Sequence, residues 1–302
     1  MQDFLSLFKA VFPASGVETY IFIPPLVAFI ISFFTSMSGV TGAFFILPFQ
    51  MSFLGFTTPS VSSTNFLYNI VGIPGGVYRY IHEKRMSWPL TWVIVSGTLP
   101  GVVLGYYIRV TYFPDPKVFK FFVGIVLLYI GYRVLKGLKE SRDPVSEHAE
   151  QFTITNTSYS LKRIEFDFMD ERISFSVPGM FILSLVVGVV GGIYGIGGGA
   201  IIAPFCVSIF KLPVYTVAGA ALMGTLVTSI AGVAVYSLMP FHNGSTSPPD
   251  WILGFLFGLG GLAGMYLGAR AQRYLPEKLI KIILSVIILF LSGRYIVQFL
   301  MR

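Results

Sequence analysis

The chain has 302 residues, of which 54% are hydrophobic and 12% are charged, and its formal net charge is +7. A soluble domain carries about 25% charged residues, so this composition excludes a soluble enzyme, a nucleic-acid-binding protein and a secreted disulfide module. The charge deficit is concentrated: Asp, Glu, Lys and Arg are absent between Glu18 and Arg79, between Arg172 and Lys211, and between Lys211 and Asp250. Because about 20 uncharged apolar residues cross a bilayer, these runs predict an all-α polytopic membrane protein.

Apolar segments in chain order predict five membrane elements in each half of the chain. They lie near residues 17–38, 42–55, 60–80, 89–109, 117–136, 178–194, 198–211, 214–240, 250–270 and 278–299. The predicted organisation is an N-terminal segment (1–16), transmembrane repeat 1 (17–137), a polar linker (138–177) and transmembrane repeat 2 (178–302). Polar and apolar residues alternate in the linker, which predicts a cytoplasmic segment with β-hairpin character. No small-residue cleavage site follows the N-terminus, so a cleaved signal peptide is not expected.

The two halves are related by an internal duplication. A shift of 156 residues places Gly39 on Gly195 and Gly42 on Gly198, and it pairs many later positions. An odd number of membrane elements per repeat requires opposite orientations, so we expect two inverted repeats of the kind found in secondary transporters. Lys and Arg are concentrated on one side, which the positive-inside rule makes cytoplasmic, with both termini outside.

A glycine-rich elbow joins the first two elements of each repeat. The segments that follow the elbows are too short to cross the roughly 30 Å bilayer core, so each pair of elements either forms a re-entrant hairpin or spans incompletely. A break at this depth is tolerated only inside protein or beside water, and it presents free N–H groups at a helix N-terminus, which attract anions. The candidate substrate-binding residues at the elbows are Ser36, Ser38, Gly39, Thr41, Gly42, Tyr194, Gly195, Gly197, Gly198 and Gly199.

Few other polar side chains lie within the predicted spans. Asn65 and Asn69 share one helical face and, with Thr225 at the repeat position of Asn69, are expected to line the substrate cavity. Alternatively, the two amides bond neighbouring helices. Arg79 and Arg109 lie at predicted helix ends, where they are either interfacial side chains or part of a vestibule that draws anions toward the elbow.

Other residues have simpler explanations. Gln50 and Cys206 are expected to be structural, and His82 and His242 have no metal-ligand spacing, so neither a metal nor a cofactor is expected. Four glycine pairs are typical of close helix packing: Gly72 and Gly76, Gly101 and Gly105, Gly188 and Gly192, and Gly264 and Gly268.

The elbow that leads into Ala200-Ile-Ile-Ala-Pro-Phe, its counterpart that ends in Phe45-Ile-Leu-Pro-Phe, and the duplicated halves resemble the TauE/SafE family of sulfite exporter-like permeases. Pro59-Ser-Val-Ser-Ser-Thr-Asn and Tyr215-Thr-Val-Ala-Gly-Ala-Ala fall where this family tends to have an Ala-Val-Gly-Thr-Ser-like run. The first elbow departs from the family pattern, since Thr41 and Ala43 stand where Gly is frequent. The resemblance implies export of sulfite or a small sulfur-containing organic anion.

Together these observations predict a multi-pass transporter of the cell (inner) membrane that exports sulfite or an organosulfonate through a site at the repeat interface. No Asp or Glu lies well inside a predicted span, so we expect the membrane potential or the anion gradient to drive export, without a coupling carboxylate. The expected partners are the small anionic substrate, the lipid bilayer and a second copy of the chain in a homo-oligomer, but not nucleic acid.

Two other functional classes stay open. One is a membrane scaffold or assembly protein that acts through the linker over 138–177. The other is an intramembrane enzyme, although the spans contain no Ser-His, Cys-His or paired-carboxylate arrangement that would support catalysis.

Overall fold

The structure is a computed structural model built mainly from helices. It describes residues 8–38, 41–84, 86–137, 154–160, 162–168, 171–212, 214–241, 244–271 and 277–301. The helices are α1 (Ile23–Ser38), α2 (Ala43–Ser52), α3 (Ser60–Gly72), α4 (Pro74–His82), α5 (Trp88–Tyr112), α6 (Pro116–Gly137), α7 (Val177–Tyr194), α8 (Gly198–Ser208), α9 (Val214–Leu238), α10 (Trp251–Ala271) and α11 (Glu277–Leu300). The strands are β1 (Lys9–Phe12), β2 (Val17–Tyr20), β3 (Ile154–Tyr159), β4 (Arg163–Phe168) and β5 (Glu171–Ser176).

Within the described residues, six helices are long and apolar enough to span a membrane, namely α5, α6, α7, α9, α10 and α11. Helices α1, α2 and α8 are apolar but shorter. With 10 and 11 residues, α2 and α8 are about 15 and 17 Å long, roughly half the thickness of a bilayer core. The mainly helical, multi-span architecture predicted from the sequence is confirmed, whereas the inverted orientation of the repeats stays a prediction.

Packing divides the chain into two compact units. The first comprises Met1–Gly72, Tyr107–Ser141 and Val233–Arg302, and the second comprises Ile73–Tyr106 and Arg142–Gly232. Each unit therefore combines segments from both predicted repeats.

In the first unit, α1 and α10 pack side by side through glycines of α10. The main chain of α1 at Pro25, Phe29 and Phe33 lies against Gly260, Gly264 and Gly268, in that order. The contact positions rise together along both helices, so the helices are parallel. A side chain at any of these glycines would collide with the facing backbone, so the absence of Cβ atoms sets the approach of the two helices.

In the second unit, α5 and α7 pack in the same way. The carbonyl oxygens of Phe181, Leu185 and Val189 face Gly97, Gly101 and Gly105, again in parallel order. In both units the first helix of one repeat (α1 or α7) therefore packs against the fourth element of the other repeat (α10 or α5). The same pairing in both units supports the internal duplication.

Three sequence expectations need correction. Helix α1 begins at Ile23 and not near residue 17, because Val17–Tyr20 pairs with Lys9–Phe12 in an antiparallel hairpin. The segment predicted over 60–80 is two helices, because Pro74 lacks a main-chain N–H and begins a new helix. As a result Gly72 and Gly76 fall on different helices and form no single packing face.

The predicted linker contains a small antiparallel sheet. Strand β4 lies between β3 and β5, and it pairs with β5 from Arg163↔Ser176 to Phe168↔Glu171. Ile164, Phe166 and Phe175 are buried, so one face of β4 and β5 is covered. The described part of this linker therefore forms three strands where the sequence suggested a hairpin.

Gly264→Leu is expected to lower the midpoint of thermal unfolding of the purified protein in detergent, because the new side chain would collide with the main chain of Phe29. Overpacking of this kind costs about 1–3 kcal/mol. Gly293→Leu in α11 is the matched control, since nothing lies within 4 Å of an added Cβ there. A wild-type midpoint for Gly264→Leu, or an equal loss for both variants, would contradict the close packing of α1 and α10.

Candidate functional site

The first elbow lies between α1 and α2 in the first unit. Helix α2 begins at Ala43, and its N-cap residue is Gly42, which has no side chain that could cap the helix. Thr41 Oγ1 accepts a hydrogen bond from the Ala43 N–H at 3.4 Å. Gly42 and Ala43 are both buried, so the positive end of the α2 dipole lies inside the protein.

Two hydroxyl groups close the space over Gly42. Tyr68 on α3 and Ser32 on α1 are fully buried, and their oxygens are 2.8 Å apart. A Cβ at Gly42 would collide with the Tyr68 hydroxyl and would lie 3.1 Å from Ser32 Oγ. One hydrogen bond between two hydroxyls uses one proton, so the second hydroxyl retains a proton that it can donate at the elbow.

The two amides predicted on α3 occupy different positions relative to this elbow. Asn65 donates its Nδ2 proton to the Ala43 carbonyl oxygen at 3.1 Å, which ties α3 to the first turn of α2. Asn69 lies one turn further along α3, and both side chains are fully buried. The helix–helix bond expected as the alternative for these amides is therefore present at Asn65.

The second elbow lies between α7 and α8 in the second unit. Gly195 ends α7 in the left-handed conformation, with φ 89°, and its N–H donates to the Gly191 carbonyl at 2.8 Å. Gly197, with φ 78°, is the N-cap of α8 and supplies no side-chain hydrogen bond. Only glycine adopts such angles without strain. Tyr194 and the glycines of this elbow are buried, so the α8 N-terminus also lies in the protein interior.

Threonines from α5 and α9 line the second elbow. An added Cβ would lie 2.5 Å from Thr98 Cγ2 at Gly198, and 2.9 Å from Thr225 Cγ2 and 3.1 Å from Thr228 Oγ1 at Gly197. The three hydroxyls donate to carbonyls of their own helices, at Ile94, Ala221 and Gly224. Their protons are therefore engaged, and the donors that remain are the first main-chain N–H groups of α8.

The two elbows have equivalent contacts under the repeat. Gly42 lies against Ser32, and Gly198 lies against Gly188, which is the repeat position of Ser32. Ala43 is bonded by Asn65, and Gly199 lies against the Ala221 carbonyl, at the repeat position of Asn65. The duplication thus extends from sequence positions to the contacts of each short helix.

The two elbows differ in which neighbouring helix carries the larger side chain that fills the space next to the short helix. In the first elbow Tyr68 fills the space and its ring packs on Gly261. Tyr68 corresponds to Gly224 in the second repeat, and Gly261 corresponds to Thr98 in the first repeat. In the second elbow the larger residue is therefore on the other helix, at Thr98, and glycine stands at the position of the tyrosine. Sequence reasoning missed Tyr68, Ser32 and Thr98 as site residues, although comparison of the repeat positions identifies this exchange.

Other predicted residues lie at varied positions. Ser36 Oγ donates to the Phe33 carbonyl at 3.0 Å and faces Gly268 of α10. The side chain of Ser38 and the whole of Gly39 lie outside the described residues. Ser36 therefore contributes to helix packing in this structure, and its role in binding stays a prediction.

The two predicted vestibule arginines differ completely in environment. Arg79 has a side chain that is 71% exposed and pairs with Glu83 at 2.7 Å, one turn later on α4. Arg109 lies in the last turn of α5, as predicted, but it is fully buried and not interfacial. Its guanidinium donates to the carbonyls of Phe113 and Thr57 and lies over the Phe119 ring, 3.6 Å from the centroid.

Within the described residues, no cluster of three or more His, Cys, Asp or Glu side chains is arranged to hold a metal ion. Cys206, at the repeat position of Gln50, is buried with its sulfur 3.7 Å from Met180 Sδ. The polar groups at both elbows are therefore amides, hydroxyls and main-chain N–H groups.

Comparison with known proteins agrees with this architecture. The chain is 22% identical over 275 residues to the probable membrane transporter protein YunE of Bacillus subtilis (strain 168), and the alignment covers 87% of this chain and 92% of that protein. No solved structure matches the chain. The family model "Sulfite exporter TauE/SafE" matches residues 25–295, which is most of the chain and confirms the resemblance found in the sequence. The chain therefore belongs to the sulfite exporter TauE/SafE family of membrane transporters.

Proposed function

We propose that the protein exports a small sulfur-containing oxyanion, sulfite or an organosulfonate, across the cell membrane, with the glycine elbows as its anion-binding elements. The observation that carries the proposal is a pair of helix N-termini, at Gly42 and Gly197, that lie inside the protein and have glycine as the N-cap residue. At Gly42 the Ala43 N–H is already bonded to Thr41 Oγ1, so this elbow offers an anion the helix dipole and the nearby hydroxyls rather than that N–H. Membership of a sulfite exporter family supports the choice of substrate class.

The electrostatics of a short helix favour an anion at each elbow. A helix carries the equivalent of roughly half a positive charge at its N-terminus, on N–H groups that have no intrahelical partner. In a low-dielectric interior this partial charge acts more strongly than in water. Glycine lets the oxygens of an anion approach the main chain, whereas a cation would be repelled.

The buried carboxylate among the described side chains of the first unit, Asp250, already has partners. Asp250 precedes α10 and accepts hydrogen bonds from the Leu253 N–H at 3.1 Å and from the Ser15 N–H and hydroxyl at 3.0 and 2.7 Å. It therefore caps α10 and holds the β1–β2 hairpin against it. This role supports a mechanism in which no carboxylate couples the substrate to a proton or a sodium ion.

The membrane potential is a sufficient driving force under this proposal. Moving one negative charge out of a negative interior is favourable by about 2.3 kcal/mol per 100 mV. An anion carrier of this type needs alternating access to its site, but it needs no second ion.

Sulfite flux in proteoliposomes is the direct test. With an imposed potential and no cation gradient, sulfite is expected to move in the direction that the sign of the potential favours, and to reverse when the sign is reversed. Liposomes without protein are the control. Flux that requires a proton or sodium gradient would contradict potential-driven export. If folded protein transports no sulfite under either sign, sulfite is not the substrate, and organosulfonates are tested next.

Gly198→Val is expected to abolish sulfite flux without preventing membrane insertion, because the new side chain would meet Thr98 at the start of α8. Gly42→Val is expected to do the same, because it would meet the Tyr68 hydroxyl. Gly293→Val is the control, since an added Cβ has no neighbour within 4 Å there. Wild-type flux in both elbow variants would remove the elbows from the mechanism.

Asn69→Leu is expected to weaken sulfite binding. Asn65→Leu is the matched comparison on the same face of α3, and it should mainly lower stability because it removes the 3.1 Å hydrogen bond to Ala43. The loss of such a bond in a membrane protein costs about 0.5–2 kcal/mol. Unchanged sulfite affinity in Asn69→Leu would assign Asn69 a structural role only.

A further inference from the structure

A buried arginine in the first unit is incompletely satisfied. Arg109 lies in the last turn of α5 and is fully buried. Its Nη1 donates to the Phe113 carbonyl and its Nη2 to the Thr57 carbonyl at 3.3 Å, whereas Nε has no hydrogen-bond partner. A guanidinium has five N–H donors, so these two bonds leave an edge of the group that can bind two acceptor atoms at once.

No carboxylate with a described side chain in the first unit neutralises this charge. Tyr236, also fully buried, lies within electrostatic range of Arg109. Glu18 is paired within the β1–β2 hairpin, Asp115 is exposed, and Asp250 caps α10. Buried charges in proteins are normally paired, so Arg109 has the electrostatics of a site for an anion.

A second unsatisfied side chain is connected to the same loop. Gln50 on α2 is fully buried, and neither atom of its side-chain amide has a partner. The main-chain carbonyl of Gln50 accepts a hydrogen bond from the Phe56 N–H at 3.0 Å. Phe56 is next to Thr57, whose main-chain carbonyl binds Arg109. Buried polar groups without partners are rare in proteins and indicate an unseen water, ion or ligand.

Helix α2 separates Arg109 from the first elbow. Gly42 precedes α2, whereas Thr57 lies in the segment that follows it. With 10 residues, α2 extends about 15 Å. An anion on Arg109 would therefore occupy a position distinct from an anion at Gly42.

We propose that Arg109 binds a small oxyanion at a second site in the first unit, with the free Nε–H edge of its guanidinium as the main contact. The inference rests on the proposed function for the identity of the anion, but not for the existence of the site. Bonding two backbone carbonyls and packing on Phe119 explain why Arg109 is held in place. These contacts leave the positive charge of Arg109 without a described counter-charge and its Nε–H without a hydrogen-bond partner.

The test is equilibrium binding of sulfite and, separately, of sulfate to the purified full-length protein in detergent at constant ionic strength. Arg109→Gln is expected to weaken binding at this site by about tenfold or more, since a charge-assisted bidentate contact is lost. Arg109→Lys is the second variant in case Arg109→Gln does not fold. It keeps the charge but loses the fork, and a loss of about threefold or more is expected. Arg172→Gln is the control, because this arginine is exposed and paired with Glu165, and it should bind as the wild type does.

The outcomes separate this site from the elbows. Anion binding that persists in Gly198→Val but is lost in the Arg109 variants supports a second site. Wild-type affinity in a folded Arg109 variant, an equal loss in Arg172→Gln, or no binding of either anion to the wild type overturns it. Sulfite binding that is lost in Gly198→Val and retained in the Arg109 variants would reject this site and support the elbows. Arg109-dependent sulfate binding without any sulfite flux would keep the site and reject the proposed substrate.

Discussion

The constraint on which this structure depends is that backbone N–H and C=O groups inside a bilayer must have partners. A helix that ends halfway exposes several of these groups, and each costs free energy if it is left bare. The protein nevertheless contains two helices, α2 and α8, that are about half as long as the bilayer core is thick. Both begin at buried glycines. Surrounding helices shield them from lipid. In α2 the first N–H groups are bonded to Thr41 and Gly42, so under the proposed function the dipole of this helix attracts the anion, whereas in α8 the first N–H groups would bind it.

Glycines on neighbouring helices make this shielding possible. Along α10 in the first unit and along α5 in the second, glycines at regular spacing bring the backbones of two helices into contact. Such close contact brings the residues that surround each elbow near the start of the short helix. The duplication then supplies the same arrangement twice, but with bulk at Tyr68 in one elbow and at Thr98 in the other. In the first elbow the Tyr68 hydroxyl thereby lies over Gly42.

The sequence predicts the scaffold better than it predicts the surroundings of the site. Long apolar runs and the 156-residue shift are strong signals, so most helix ends agree within a few residues. The β1–β2 hairpin was missed because Val17–Tyr20, which contains Glu18, directly adjoins the uncharged run and was included in the predicted span. Tyr68 was missed because a buried tyrosine is ordinary within a helix. The burial of Arg109 has no sequence signature, since its partners are main-chain carbonyls that any residue carries.

Arg109 also alters the electrostatics of α2 in a way that bears on anion movement. The N-terminus of α2 attracts an anion, but its C-terminus carries the equivalent of roughly half a negative charge. An anion that left Gly42 along this helix would therefore meet increasing repulsion. The guanidinium binds the segment that follows α2, at the Thr57 carbonyl, and under the proposed function its positive charge would oppose that partial negative charge. If Arg109 binds an anion as proposed, both ends of the short helix would favour an anion, and the barrier that an uncompensated dipole creates would be lowered.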